Sequence, residues 1–189
     1  MVFSSNRLSF RDFTSQDYPL FASVFSNEQV MRYAYRNRIA DEGAMRAYFD
    51  AIFENTRASE RTAYELAVFD GTQFIGYADF HLQCFTPEQR TAEIGYFLLP
   101  DYWGIGYTTE IVEQLLELLF VDMKLHKVTA SCNANNKASE RVMIKNGMAK
   151  EGTLRQERFK DGRWDDELHY GILREEWEQK EAGSLNDNG

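Results

Sequence analysis

The segment LLPDYWGIGYTTE, Leu98–Glu110, carries the clearest chemical signal in the chain. An apolar run ends at Pro100, and Gly104 and Gly106 stand just ahead of an amphipathic helical pattern. Most chains place a capping side chain and good helix formers there. A helix N-terminus exposes unpaired N–H groups and carries about half a positive charge. Glycines at that point let an anion approach the backbone. The N–H groups of Trp103, Gly104, Ile105, Gly106, Tyr107 and Thr108 are therefore candidates to wrap a pyrophosphate. The alternative is a tight strand-to-helix turn without a ligand. Other phosphate loops fit less well. Thr109 stands where a dinucleotide fingerprint requires its third glycine, and there is no Gly-Lys-Ser/Thr sequence.

Such a loop needs a strand before it and a helix after it. AEIGYFLLP reads as the strand, stopped by Pro100. Ile111, Leu115, Leu118 and Leu119 then form one helical face, with Glu110, Glu113, Gln114 and Glu117 opposite. Upstream, RLSFRDF alternates as a short strand, and Leu20, Phe21, Val24 and Phe25 fall at helical spacing. Met45, Tyr48, Phe49, Ile52 and Phe53 mark a helix from about Asp41 to Arg57. YELAVFDGTQFIGYADF predicts two strands joined at Asp70-Gly71. Downstream, KVTASCN is a strand, ASERVMIKNG a short helix ended by Gly147, and the final hairpin turns about Asp161-Gly162. The order β-α-α-β-β-β-α-β-α-β-β predicts an α/β (α+β) domain: a mixed, mostly antiparallel sheet of about seven strands with helices on both faces. The domain is expected to span residues 1–178, and the polar tail 179–189 is expected to be disordered.

A chain of 189 residues suits one domain with a real core. No apolar run reaches membrane-spanning length, and the N-terminus lacks a signal peptide's apolar core, so a cytoplasmic protein with no membrane role is expected. The cysteines, Cys84 and Cys132, form no CxxC pair; His81, His126 and His169 show no metal-ligand spacing, and no metal is expected. A net charge of −9, from 30 acidic and 21 basic residues, argues against direct nucleic-acid binding. It suits a cationic substrate and equally suits simple solubility.

YWGIGYTTE resembles the acetyl-CoA pyrophosphate loop of the GNAT superfamily of N-acyltransferases. NNKASERVMIKNGMAKEGTLR resembles the Asn-x-x-Ser-x-x-Val-x-x-x-x-Gly-Phe-x-x-Glu-Gly pattern of its ribosomal-protein N-terminal-alanine acetyltransferase branch, and DGRWDDELHYGILREEW also matches that branch. Two positions depart from the pattern. Asp101 stands where many members have Gln or Arg, which removes one expected side-chain contact to the cofactor. Met148 replaces the usual Phe, an apolar exchange.

The resemblance implies direct acetyl transfer from acetyl-CoA to a primary amine, with no metal. Such transfer requires a neutral amine, a stabilised acyl oxygen, a proton for the departing thiolate and in-line positioning. Glu93 is the candidate base, on one strand face with Gly95, Phe97 and Leu99; the alternative is a paired strand carboxylate. An α-amine of pKa about 8 is neutral in roughly a tenth of molecules at pH 7, whereas a lysine amine is neutral in about one of two thousand. The resemblance implies that the backbone around Phe97, Leu98 and Leu99 contacts the cofactor and that Asn136 bonds its pantetheine arm. Many relatives place a tyrosine acid where Met143 stands here, so Ser139 becomes the candidate proton donor, with helix capping as its alternative. Tyr96, Trp103, Tyr107 and Trp164 are candidates to line the acceptor pocket.

The implied acceptor is a protein N-terminal α-amine. A small amine, such as a polyamine or an aminoglycoside, is the alternative within enzymes, and a catalytically silent acyl-CoA-binding module the alternative outside them. Acceptor choice is expected to lie in Asn27–Ala58 and the last hairpin. The chain is expected to act as a monomer or homodimer.

Overall fold

A computed structural model describes residues 1–34, 37–84 and 90–186. Among these, eight strands form one sheet in the order β1-β2-β3-β4-β5-β6-β8-β7. They are β1 (Val2–Ser4), β2 (Leu8–Asp12), β3 (Ala63–Asp70), β4 (Gln73–Cys84), β5 (Arg90–Leu98), β6 (Lys127–Asn133), β7 (Ala149–Lys160) and β8 (Arg163–Leu173). The helices are α1 (Tyr18–Phe25), α2 (Glu28–Met31), α3 (Glu42–Asn55), α4 (Tyr107–Glu117), α5 (Lys137–Lys145) and α6 (Arg174–Asn186). The β5–β6 pair is parallel and is joined through α4; the other neighbouring strands run antiparallel.

Strand alternation sends successive side chains to opposite faces. Leu66, Val68, Ala78, Phe80, Ile94, Val128 and Ala130 pack with Ile111, Val112 and Leu115 of α4 and Met143 of α5. On the other face Ala67, Tyr77 and the edge of Phe97 meet an aromatic cluster from α1 and α3. Phe21 sits at its centre, with ring centroids 4.5 Å from Phe25 and 5.4 Å from Phe49. Truncating such a ring costs about 3–5 kcal/mol.

Three elements differ from the sequence expectation. Val2–Ser4 is an eighth strand, too short to show a period. The first helix breaks at Asn27, whose side chain accepts from the N–H groups of Gln29 and Val30 and so caps α2. Residues 179–186 of the expected disordered tail continue α6, and 187–189 lie outside the described residues. The helix is anchored at its start. Arg174 Nε donates to Leu125 O at 2.7 Å, and Trp177 packs on Phe120 with centroids 5.5 Å apart. Good helix formers then propagate it.

Candidate active site

β5 and β6 pair only over Thr91–Glu93 and Lys127–Thr129. β5 runs on to Leu98 and β6 to Asn133, so the two strands part beyond that point. The opening is a cleft of about 830 Å³ reaching both faces of the sheet. Glu93, Phe97, Leu98, Trp103, Gly104, Gly106, Thr108, Asn136 and Ser139, all singled out in the sequence, line it. Leu99, Ile105 and Tyr107 do not.

At one end the cleft meets the start of α4. Gly106 precedes the helix with φ +92°, and Gly104 has φ +78°. Both angles lie in the left-handed region that glycine tolerates best. Among the described residues no side chain caps α4, so the N–H groups of its first turn keep their donors for another partner. Among the same residues a Cβ at Gly104 would meet nothing within 4 Å, and one at Gly106 would meet only an Arg7 nitrogen at 3.7 Å. Bare backbone, a helix N-terminus and the cations Arg141 and Lys145 from α5 thus share one end of the cleft, an arrangement that fits a pyrophosphate. The Ile105 side chain is exposed beside this loop.

Neighbouring contacts brace this loop. Trp103 Nε1 donates to Leu98 O at 2.8 Å. Tyr107 turns its ring away from the cleft: its hydroxyl donates to Asp70 and Arg7 stacks on its ring. Glu110 accepts from Ser5 Oγ at 2.7 Å and Arg7 Nε at 2.6 Å, which ties α4 to the β1–β2 turn.

Where the strands part, chemically active groups lie on both faces. On one face Glu93 Oε1 accepts from Ser131 Oγ at 3.1 Å. His81 on β4 stands opposite Glu93 in register. Asp79, which accepts from the Tyr77 hydroxyl at 3.2 Å, occupies the space a side chain at Gly95 would need. The hydrogen bond to Asp79 holds the His81 imidazole above its ordinary pKa despite partial burial.

The opposite face carries Tyr96, whose hydroxyl lies 2.9 Å from Ser139 Oγ. Burial raises the Tyr96 phenol well above the usual tyrosine range. Cys132 lines the cleft beside them, and burial pushes its thiol up to about 11. Asn136 Oδ1 accepts from Ser139 N–H at 3.2 Å and caps α5, and Asn136 lines the cleft. The backbone separates two leucines that the sequence treats alike. Leu99 N–H donates to Ile75 O at 3.0 Å. Alternation therefore turns Leu98 N–H the other way, into the opening toward β6. Leu99 cannot offer its N–H to a ligand, and its side chain joins the aromatic cluster.

Phe97 and α2 wall the Glu93 side. Phe97 packs on Phe25 with centroids 5.9 Å apart. From the hairpin, Arg158 donates to Tyr33 O at 3.4 Å and pairs with Glu167. Lys160 donates to Met31 O and, at 3.1 Å, to Ala34 O. Trp164 lies at the hairpin tip against Phe159, exposed and away from the cleft. Of the four aromatic residues singled out for the acceptor pocket, Tyr96 and Trp103 line the cleft. Within the segment Asn27–Ala58, residues 35–36 lie outside the described residues.

The chain belongs to the GNAT acetyltransferases: a family model for the acetyltransferase (GNAT) domain matches residues 7–149. It is 30% identical over 177 residues to YnaD of Bacillus subtilis (strain 168), an uncharacterised N-acetyltransferase, covering 94% of this chain and 99% of that one. It is 29% identical over 99 residues to the ribosomal-protein-serine acetyltransferase of Escherichia coli (strain K12), covering 52% and 54%. The solved spermidine N-acetyltransferase of Vibrio cholerae, in complex with CoA and spermine, superposes with a TM-score of 0.77 at 21% identity, covering 92% and 99%. At that identity the superposition shows the fold.

Proposed function

We propose that this acetyltransferase moves an acetyl group directly from acetyl-CoA to a protein N-terminal α-amine. The reading rests on the parting of β5 from β6, which sets the Glu93 carboxylate on one face of the sheet and the Tyr96–Ser139 hydroxyl pair on the other. Bound acetyl-CoA supplies an activated thioester. The backbone of residues 104–108 holds its pyrophosphate, with Arg141 and Lys145 beside it; the Trp103 N–H, a candidate from the sequence, is spent on Pro100 O at 3.1 Å. Leu98 N–H donates to the acyl oxygen as negative charge develops there.

Glu93 accepts one proton from the acceptor's ammonium form, freeing the nitrogen lone pair that makes the new C–N bond. The Tyr96–Ser139 pair gives a proton to sulfur as the C–S bond breaks, and the second proton lost by nitrogen restores the pair through solvent. The balance is one amide, one thiol and one proton released. Cys132, held neutral at pH 7, is poorly suited to act as a covalent carrier, which supports direct transfer.

Asp79 and Glu93 favour any cationic amine on the acceptor face, so a small polyamine or an aminoglycoside is the second reading. The test is thiol release from acetyl-CoA with a panel of acceptors. The panel holds a short peptide beginning with Ala or Ser, the same peptide N-blocked but carrying lysine, spermidine, and an aminoglycoside. Acetylation of the free peptide's α-amine is expected, with the blocked peptide poor. Acetyl groups found only on spermidine or the aminoglycoside select the second reading. Acetyl-CoA binding without thiol release from any acceptor means a silent acyl-CoA-binding module.

A further inference from the structure

Glu93 does not stand alone on its face of the sheet. Its hydrogen-bond partner Ser131 projects from β6 next to the β8 positions that carry Glu167 and His169, since Ser131 pairs with His169 and Asn133 with Glu167. Glu167 is buried and paired with Arg158, which in turn donates to Tyr33 O beyond α2. Burial works against the Glu167 carboxylate, but the hydrogen bond from Arg158 outweighs it and holds the group below the usual carboxylate range. Ser131 thus lies between two carboxylates, one locked as an anion and one facing the cleft.

We propose that Ser131 is a positioning residue for the general base, a hydroxyl that reverses its hydrogen bond as Glu93 gains and loses a proton. This rests on the reading of Glu93 as the base. A serine hydroxyl donates one proton and accepts at its lone pairs. While Glu93 is ionised, Ser131 O–H donates to it, as the geometry records. Once Glu93 has taken the acceptor's proton, its new O–H donates to Ser131 Oγ, and Ser131 turns its own proton to Glu167. No proton leaves Ser131 or reaches Glu167. Both states of the base keep a partner with only a hydroxyl rotation, so the carboxyl stays aimed throughout turnover.

A hydroxyl can donate to the ionised carboxylate and accept from its protonated form. Removing the Ser131 hydroxyl therefore takes a partner from Glu93 in both of its states. Other charged groups face the same region: His81 and Asp79 from β4, His169 and Glu167 from β8, Arg158 from β7, and Arg32 at the cleft wall beyond α2. Because either histidine can also shape activity, the test must run through Glu93 itself.

The experiment is a double-variant cycle on kcat/KM, measured with acetyl-CoA and whichever of the Ala- or Ser-initiated peptide or spermidine turns over. Ser131→Ala should lower kcat/KM by roughly tenfold, and Ser131→Thr, which keeps the hydroxyl, should stay near wild type. Added to Glu93→Gln, the change Ser131→Ala should cost nothing further. A wild-type-like Ser131→Ala, the same loss in Ser131→Thr, or a Ser131→Ala loss that persists in Glu93→Gln overturns the role given to Ser131 while leaving Glu93 as base intact. Wild-type-like kcat/KM in Glu93→Gln overturns the base reading and this inference with it.

Discussion

Tyr96 on β5 and Ser139 on α5 hold their hydroxyl oxygens 2.9 Å apart, on the face of the sheet opposite Glu93. With its phenol raised by burial, Tyr96 remains protonated across any practical assay range. On the proposed reading the two hydroxyls form one proton-donating unit, and units of this kind give non-additive mutant effects. Ser139→Ala and Tyr96→Phe should each lower kcat by roughly tenfold to a hundredfold. The double variant should be little worse than the poorer single one. Single-turnover rates at saturating acetyl-CoA check this, and losses that multiply would mean that the two act independently.

Glu93→Gln keeps the shape of the side chain and removes the proposed base. Its defect should be severe at pH 6.5, where an α-amine of pKa about 8 is mostly protonated, and should shrink toward pH 9. The Ser139→Ala defect should persist at pH 9, because raising the pH does not supply a donor to sulfur. Profiles of kcat for both variants, taken where chemistry limits the rate, separate the two roles. Parallel wild-type-like profiles would leave positioning and the Leu98 N–H as the working parts, with water as base.

Gly106→Val puts a branched side chain at φ +92°, on the approach to the first turn of α4. Acetyl-CoA should bind at least tenfold more weakly, a loss of about 1.4 kcal/mol. Calorimetry measures it, and a thermal melt confirms that the variant is folded. Unchanged affinity in a folded variant would remove the pyrophosphate from this loop.

Asp17 anchors the start of α1. It accepts from Arg11 at 2.6 Å and 3.0 Å, and from the backbone N–H and hydroxyl of Thr14 at 2.6 Å and 2.7 Å. Burial alone would raise its pKa, but the bonds from Arg11 and Thr14 prevail and lower it. A carboxyl lowered by folding stabilises the protein above its unfolded pKa of about 3.9 and loses that effect as the pH falls through the folded value. Asp17→Asn should therefore cost about 1–3 kcal/mol at pH 7, and the gap from wild type should narrow in acid below about pH 4. Urea unfolding at both pH values measures the gap.

What was legible in the sequence was local. The KVTASCN strand, the helix ending at Gly147 and the turn at Asp161-Gly162 each announce themselves within a few residues, and the structure places them there. The glycines before α4 were readable for the same reason, because left-handed backbone demands them. The pairings that organise the site were not readable. Tyr96 meets Ser139 across 43 positions, Ser131 meets Glu93 across 38, and Arg158 meets Tyr33 across 125. No local periodicity encodes such distances. The cleft itself was equally silent. It arises where β5 and β6 stop pairing, and alternation in each strand continues unchanged through that point. Leu98 and Leu99 looked interchangeable until the bond to Ile75 assigned their N–H groups to opposite sides.

Arg158 and Lys160 grip the neighbouring wall through the carbonyl oxygens of Tyr33, Met31 and Ala34. A carbonyl oxygen is the same on every residue, so the grip does not depend on which side chains that wall presents. The proposed acceptor pocket is built like a vise with replaceable jaws: the spacing is held by backbone, and the lining is open to change. A library that randomises Gln29, Val30 and Arg32 while keeping Arg158 and Lys160 should sample new amines on an intact frame. A library that randomises the two hairpin cations should loosen the frame before it changes the choice of amine.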